Sequence, residues 1–446
     1  MFKTILQYLR GLAITCIGLL LLTQPAWAFC GFYVAKADTD LYNQASQVII
    51  ARDGDRTVLT MANDYEGEVS DFALVVPVPV ILKEEQVHIG EASIIKRLND
   101  FSAPRLVEYF DENPCAVRRF DDGFGLLQNA APPMPMAAES MRETAADLGV
   151  TIEEQFSVGE YDILILSAKE SDGLETWLRQ NDYQLPQGAS ELLRPYIRNK
   201  LKFFVAKVNL EEFDRSGVNQ LRPLMMAFES PKYMLPIRLG MMNAQQAQDL
   251  IVYILSPKGQ AEVTNYRTVK IPSNVEIPEF VEAEFGDFYT TMFEQDYQRQ
   301  GRDDIFLEYA WDMSSCDPCS APNLTKAELK QAGVFWDEDQ YLPRVFITRL
   351  HVRYGRDKFP EDLRFQETTN RQFFQGRYVI RHPYRGEMTC SAAQAYRERT
   401  YQRQEAAVQT LAKLTGWEPA DIRRKVDFIE TNGPTPTDEA WWDSIW

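Results

Sequence analysis

The stretch Ser46–Asp64, "SQVIIARDGDRTVLTMAND", decides the class of fold. Val48, Ile49 and Ile50 open a β-rich run, Asp53-Gly54-Asp55 interrupts it, and Thr57 to Met61 form a second run. Two such runs flanking a Gly-containing polar turn predict a β-hairpin. Working outward, "SDFALVVPVPVIL" (Ser70 to Leu82) reads as a continuous apolar strand. Pro77 and Pro79 have no N–H to give a ladder, so they end pairing or mark an edge. "EASIIKRLNDF" then places Ile94, Ile95 and Leu98 at helical spacing.

The same mixture continues. "YDILILSA", "LKFFVAKVNL", "RPLMMAFES", "YMLPIRLG" and "QDLIVYILS" read as strands, and "GLETWLRQND" as a short helix. "TKAELKQAG" is a helix stopping at Gly333. "RVFITRLHVRYG" alternates, with Phe346, Thr348, Leu350 and Val352 on one face and Arg349, His351 and Arg353 on the other. "QGRYVIRH" is a further strand, and the run from Ser391 to Trp417 is the longest helix, with Gly416 as its stop. "EPADIRRKVDFIE" adds another helix. The expected class is α+β, with mixed, largely antiparallel sheets, peripheral helices and a helical C-terminal part. The expected order is a leader (1–28), a β-rich subdomain (29–128), an Ala/Pro/Met loop (129–147), a central α/β-like segment (148–299), C-terminal strands and helices (300–430), and an acidic aromatic tail (431–446).

The leader sets the compartment. Lys3 and Arg10 form a positive n-region, Gly11 to Leu22 an apolar run, and Ala26-Trp27-Ala28 a small-x-small cleavage signal. The run holds about 12 residues, against the ~20 that span a bilayer. Cleavage after Ala28 and release outside the cytoplasm are expected, where disulfides persist. The composition is that of a globular protein: 45% hydrophobic and 25% charged in 446 residues. A formal charge of −18 argues against nonspecific binding to nucleic acid or anionic lipid.

Several stretches together resemble the bacterial domain-of-unknown-function family 2330. They are "CGFYVAKADTDLYNQASQVIIARDGDRTVLTMANDYEG", "FALVVPVP", "SAPRLVEYFDENPC", "SCDPCSAP", "RLHVRYGRDKFPEDLRFQET" and "FQGRYVIRHPYRG". The resemblance runs from about Cys30 to about Asp427 and implies a bacterial, signal-bearing, extracytoplasmic protein. It carries over no catalytic residues, and "APPMPMAAES" looks like a divergent insertion.

Signatures of well-known catalysts are missing: there is no H-E-x-x-H, G-x-S-x-G, phosphate-binding loop or dinucleotide fingerprint. With three histidines, His88, His351 and His382, histidine chemistry has few sites. If the strands bearing them pair, Arg349, Arg353, Arg377 and Arg381 converge as an anion site, because guanidinium forks match carboxylate or phosphate. The competing expectation is that these arginines pair with the plentiful acids. Paired carboxylates such as Asp53/Asp55 isolate no acid–base site, and no catalytic residue, cofactor or metal is assigned.

The cysteines carry more. Cys30, Cys115, Cys316, Cys319 and Cys390 follow the leader, and an odd number in an oxidising compartment leaves one unpaired. Joining Cys30 to Cys115 would staple the first strand region to the end of its subdomain. "SCDPCS" (Ser315 to Ser320) reads as a redox dithiol, as half of a metal site with Cys390 and a histidine, or as a structural loop. Pro322 spoils the helix that would activate a thiolate, so the expectation is a disulfide joining Cys316 or Cys319 to each other or to Cys390. Three function classes follow: a non-enzymatic extracytoplasmic binding or scaffold protein, a thiol-disulfide or metal enzyme at Cys316/Cys319, and a soluble partner of a membrane complex docking through "AWWDSIW". A protein partner in the periplasm or at the membrane surface fits the last; a nucleic acid fits none.

Expressed with its leader in a bacterium, the mature chain is expected to begin at Phe29. Intact mass of the secreted protein checks this, and a chain still starting at Met1 in the membrane fraction contradicts it.

Overall fold

The computed structural model describes residues 32–35, 42–43, 46–62, 65–66, 72–116, 149–181, 189–217, 221–242, 247–317, 321–355 and 358–431, with backbone alone at 32–35, 42–43, 65–66, 72–73 and 242. The leader, Cys30, Cys319, the Ala/Pro/Met loop and all but the first residue of the tail lie outside them.

The hairpin is formed by strands Ser46–Asp53 and Arg56–Ala62. Gly54 takes the left-handed backbone (φ 61°) at its turn, and Val48 faces Met61 and Ile50 faces Leu59 in register. Side chains alternate along a strand, and here both faces are apolar. Val48, Ile50, Leu59 and Met61 meet Leu74, Val76, Ile163, Ile165 and Phe204 of a second sheet. Ile49 and Ala51 meet Ile94, Ile95, Leu98 and Phe101 of helix Ala92–Ser102. The hairpin is therefore an interior element, and each fully buried Val, Ile or Leu contributes about 1.5–3 kcal/mol.

The first sheet has nine strands. Along its main path the order is Thr268–Lys270, Ile305–Asp312, Phe346–Tyr354, Gln248–Ser256, Ser46–Asp53, Arg56–Ala62, Leu224–Glu229 and Val87–Ile89, with Phe374–Gln375 paired beside Ile305–Asp312. It draws strands from all three of the expected intervals. Strand Gln248–Ser256 is buried along its whole length. It runs parallel to Ser46–Asp53 and antiparallel to Phe346–Tyr354. The second sheet is antiparallel, in the order Phe32–Ala35, Phe72–Val78, Lys202–Val208, Tyr161–Ala168 and Val150–Val158. Its outer face packs Val75, Leu166, Phe203 and Val205 against Leu174, Leu178 and Leu193 of helices Ser171–Gln180 and Ala189–Arg198. The layers run helix, sheet, sheet, helix, which is the expected α+β class.

The apolar run "SDFALVVPVPVIL" leaves the ladder at Val78, one residue before Pro79. Pro77 lies beyond the last pair with Phe32–Ala35, where one neighbouring strand remains. "YMLPIRLG" keeps strand pairing only at Met234–Leu235, because Pro236 has no N–H to continue it.

A third unit is parallel: Val275–Glu276, Arg377–His382 and Arg105–Phe110 lie side by side, with Phe110 opposite His382. Helices Phe285–Gln300, Ala392–Thr415 and Pro419–Lys425 supply Phe288, Met292, Val408, Leu411 and Ile422 to cover Tyr378 and Ile380. Gly416 ends the long helix in the left-handed region (φ 75°), as its sequence predicts.

This parallel pairing corrects the expected disulfides. Cys115 bonds Cys390, with Cα atoms 5.6 Å apart and a sequence separation of 275. Matched strands Arg105–Phe110 and Arg377–His382 end together, so the residues just past their ends meet. Cys115 is thus unavailable to Cys30, and Cys390 to the "SCDPCS" cysteines. The Cys316 thiol is free and exposed. Its loop is anchored instead by buried Asp317, which accepts hydrogen bonds from the Tyr309 hydroxyl (2.9 Å) and Gln375 Nε2 (2.7 Å).

Closing a loop this long constrains the unfolded chain by roughly 5 kcal/mol in the chain-entropy account. Replacing Cys115 and Cys390 together by serine is expected to cost about 2–5 kcal/mol in denaturant unfolding. The same change at Cys316 is expected to cost under about 0.5 kcal/mol, as for exposed sites without partners.

Candidate functional site

The four arginines expected to form an anion site are instead engaged by separate local partners. Strands Phe346–Tyr354 and Arg377–His382 belong to different sheets. Arg377 donates to Asn274 Oδ1, and Arg381 lies 3.8 Å from Asp111 and 3.6 Å from Glu276.

Arg349 and Arg353 join a buried charge chain that sequence alternation did not reveal. Their strand is interior to its sheet, and its polar face is buried except at Arg353, which is partly buried. Ladder register shifts between Leu307 and Tyr309, leaving Glu308 at a bulge. A bulge re-aims a side chain, and Glu308, with 0% exposure, accepts from Arg349 Nε, from His351 Nδ1 at 2.8 Å and from the Tyr289 hydroxyl. His351 Nε2 lies 3.0 Å from Asp249 Oδ1, and Arg353 grips Asp249 with two bonds of 2.8 and 2.7 Å. Glu294 closes the chain on Arg353. The Phe293 ring stacks on the imidazole at 3.8 Å.

Both ring nitrogens of His351 face carboxylate oxygens, which only accept, so the doubly protonated imidazolium satisfies both. Burial pulls the His351 pKa down, but Glu308 and Asp249 outweigh it and the net shift is upward. Burial pushes Glu308 up, yet Arg349 and His351 hold it at about 2. Burial likewise raises Asp249, and His351 and Arg353 hold it well below the usual carboxylate range. Three cations meet three carboxylates, so the chain is a neutral structural strut.

The concave site lies elsewhere. A cavity of about 410 Å³ opens among helix Ala189–Arg198, the segment Lys232 to Arg238, Thr264 and strand Leu363–Glu367. Small-molecule sites typically enclose about 300–1,000 Å³. Its walls are aromatic and apolar at Tyr196, Tyr233, Phe365, Leu201 and Met234, and its charged lining is Lys232, Arg238, Arg364 and Asp362. Asp362 Oδ1 organises one wall by accepting from the Tyr196 hydroxyl (2.7 Å), Ile237 N (2.9 Å) and Arg238 N (3.2 Å). Burial raises the Asp362 pKa, partly offset by those donors. Burial and the neighbouring Asp362 keep Tyr196 protonated.

Two donors are unused. The Arg238 Nε–H is buried without a hydrogen-bond acceptor, its nearest carboxylate oxygen being Asp362 Oδ2 at 3.8 Å. The Tyr233 hydroxyl is also buried and unpartnered, and burial pushes its pKa far up, keeping it a donor. Leaving a buried donor unpaired costs about 1–3 kcal/mol. Lys232 Nζ donates to the Asn199 carbonyl at 2.7 Å, and Arg364 pairs with exposed Glu361 at 2.9 Å.

None of these lining residues stood out in the sequence, because they come from positions 195 to 365 and share no motif. The one local hint is Pro231 and Pro236 bracketing "KYML", which forces the backbone out of regular pairing beside the cavity.

The charge chain fixes the pH response. The His351 contribution is full below its unfolded pKa near 6.5 and fades as pH rises through its raised folded value. The Glu308 contribution is full above about pH 4.3 and fades as pH falls toward about 2. Glu308→Gln is expected to lower stability near pH 6 by about 3–5 kcal/mol, because it leaves buried Arg349 and His351 short of a charge, and to flatten the acid limb of a stability–pH curve. Urea unfolding from pH 3 to 9 reads both.

A family described as "Uncharacterized protein conserved in bacteria (DUF2330)" matches residues 24–366. No curated protein and no solved structure matches the chain. On that match, covering well over half of the chain, it belongs to the DUF2330 family.

Proposed function

We propose that this DUF2330 member is an extracytoplasmic binding protein, and that its cavity holds a small organic carboxylate with an apolar body. The observation that carries this reading is a cavity whose charged lining is three cations and one carboxylate, with buried donors left unpaired on two of its wall residues, Arg238 Nε–H and Tyr233 O–H. The chain as a whole is at −18, so this excess of positive charge runs against the composition. A guanidinium fork and a phenol pair naturally with a carboxylate, and Tyr196, Tyr233, Phe365 and Leu201 suit an apolar body.

The location rests on the leader and on the Cys115–Cys390 bond, which suits an oxidising compartment. Among the described residues no helix is long and apolar enough to cross a membrane.

Calorimetric titration with a panel of aliphatic and aromatic monocarboxylates tests the reading. At least one is expected to saturate at one per chain. Arg238→Met is expected to weaken it at least tenfold, in line with about 1.5–3 kcal/mol for a hydrogen bond to a charged group. Arg215→Met, on an exposed helix away from the cavity, is expected to change nothing. Absence of any saturable carboxylate, or binding indifferent to Arg238→Met in folded protein, contradicts it.

A further inference from the structure

We propose that Glu108, Glu282 and His382 form a site for a divalent transition cation of the zinc class. One ligand atom from each lies within 4.8 Å of the other two. They come from three elements of the parallel unit: strand Arg105–Phe110, the 3-10 turn Glu279–Glu282 and strand Arg377–His382. The parallel register that sets Phe110 opposite His382 also carries Glu108 to the same edge.

The imidazole distinguishes this group from a solvated acidic patch. Its Nδ1 faces Glu279 Oε2 at 3.2 Å, and its Nε2 faces Glu108 Oε2 at 2.9 Å. The Phe110 ring stacks on it at 4.4 Å and 11°. The ring is thus held by its face and by one nitrogen while the other points at the carboxylates. A histidine that donates Nδ1–H to a carboxylate and offers Nε2 is the arrangement by which proteins orient metal-binding imidazoles. Among the described residues Glu282 has no hydrogen-bond or ion-pair partner, although it closes on Glu108, a like charge.

The distances accommodate an ion. Zinc bonds nitrogen and carboxylate oxygen at about 2.0–2.2 Å, so neighbouring tetrahedral ligand atoms sit about 3.3 Å apart. His382 Nε2 and Glu108 Oε2, now 2.9 Å apart, need to separate by a few tenths of an ångström, and the exposed Glu282 side chain, within 4.8 Å of both, has to close in on them. Two carboxylates neutralise the dication, and one imidazole favours zinc over magnesium or calcium. Three protein ligands at a surface leave the fourth position to water. Cys390, a ligand considered from sequence, is committed to its disulfide.

The test is calorimetric titration of zinc chloride into the metal-stripped mature chain with its free thiols alkylated. One zinc per chain is expected. His382→Ala and Glu282→Gln should each weaken uptake at least tenfold, and Glu282→Gln should do so without moving the melting temperature of the metal-free protein. Glu279→Gln, which touches the imidazole and not the ion, should weaken it about tenfold. Magnesium in tenfold excess should not displace the zinc. Absence of saturable zinc, zinc uptake unchanged in both His382→Ala and Glu282→Gln, or displacement by magnesium overturns the proposal.

Discussion

Glu308 is a carboxylate with no access to water, at the bulge of an interior strand of the largest sheet. Burying such a charge costs several kcal/mol unless its partners are in place. Much of the surrounding structure meets that requirement. Arg349 and His351 come from the adjacent strand, and Tyr289 from the helix packed over it. Backbone is involved too. Gly376 N donates to the Glu308 carbonyl at 2.8 Å, and a Cβ on Gly376 would fall 2.5 Å from Ile271 Cδ1, so a side chain there would have to push Ile271 aside. Asp249 and Arg353 extend the pairing to the next strand and to Glu294 on the same helix. One charge thereby ties three neighbouring strands to the helical unit behind them.

The same accounting of charges separates strut from site. Along the Glu308 chain every buried donor meets an acceptor, so nothing remains to recruit a ligand. In the cavity the balance is left open. Arg238 and Tyr233 keep buried donors unspent, and Lys232 and Arg364 add positive charge in an acidic protein. Asp362 is not the missing partner. Its Oδ1 already serves three donors, and its Oδ2 stands beyond hydrogen-bond distance of Arg238. The contrast between a closed network and an open one supports the binding reading.

Elements with a short period were legible in the sequence. The Gly54 hairpin, the "QDLIVYILS" strand and the long helix ending at Gly416 follow from alternation, β-branching and helix stops. What depends on distant partners was not. Alternation in "RVFITRLHVRYG" marks two faces but cannot tell a solvated charged face from one buried against Glu308 and Asp249. The Cys115–Cys390 bond depends on a parallel pairing between strands some 270 residues apart, judged by their register. "SCDPCS" drew attention to its cysteines, whereas Asp317 between them is the buried anchor. Cavity residues are scattered over four segments, with neither spacing nor charge run to unite them.

The claim beneath this account is that the buried chain is ionised throughout, with His351 as an imidazolium between two carboxylates. With three histidines in the chain, nitrogen-15 NMR resolves each ring, and a His351→Gln variant assigns the signal. Following that signal from pH 5 to 9 is the most direct measurement. The account predicts that His351 keeps both ring protons well above pH 6.5, the ordinary histidine midpoint. A ring that becomes neutral at or below that midpoint would contradict it, and with it the ionic pairing that ties Glu308 into the sheet.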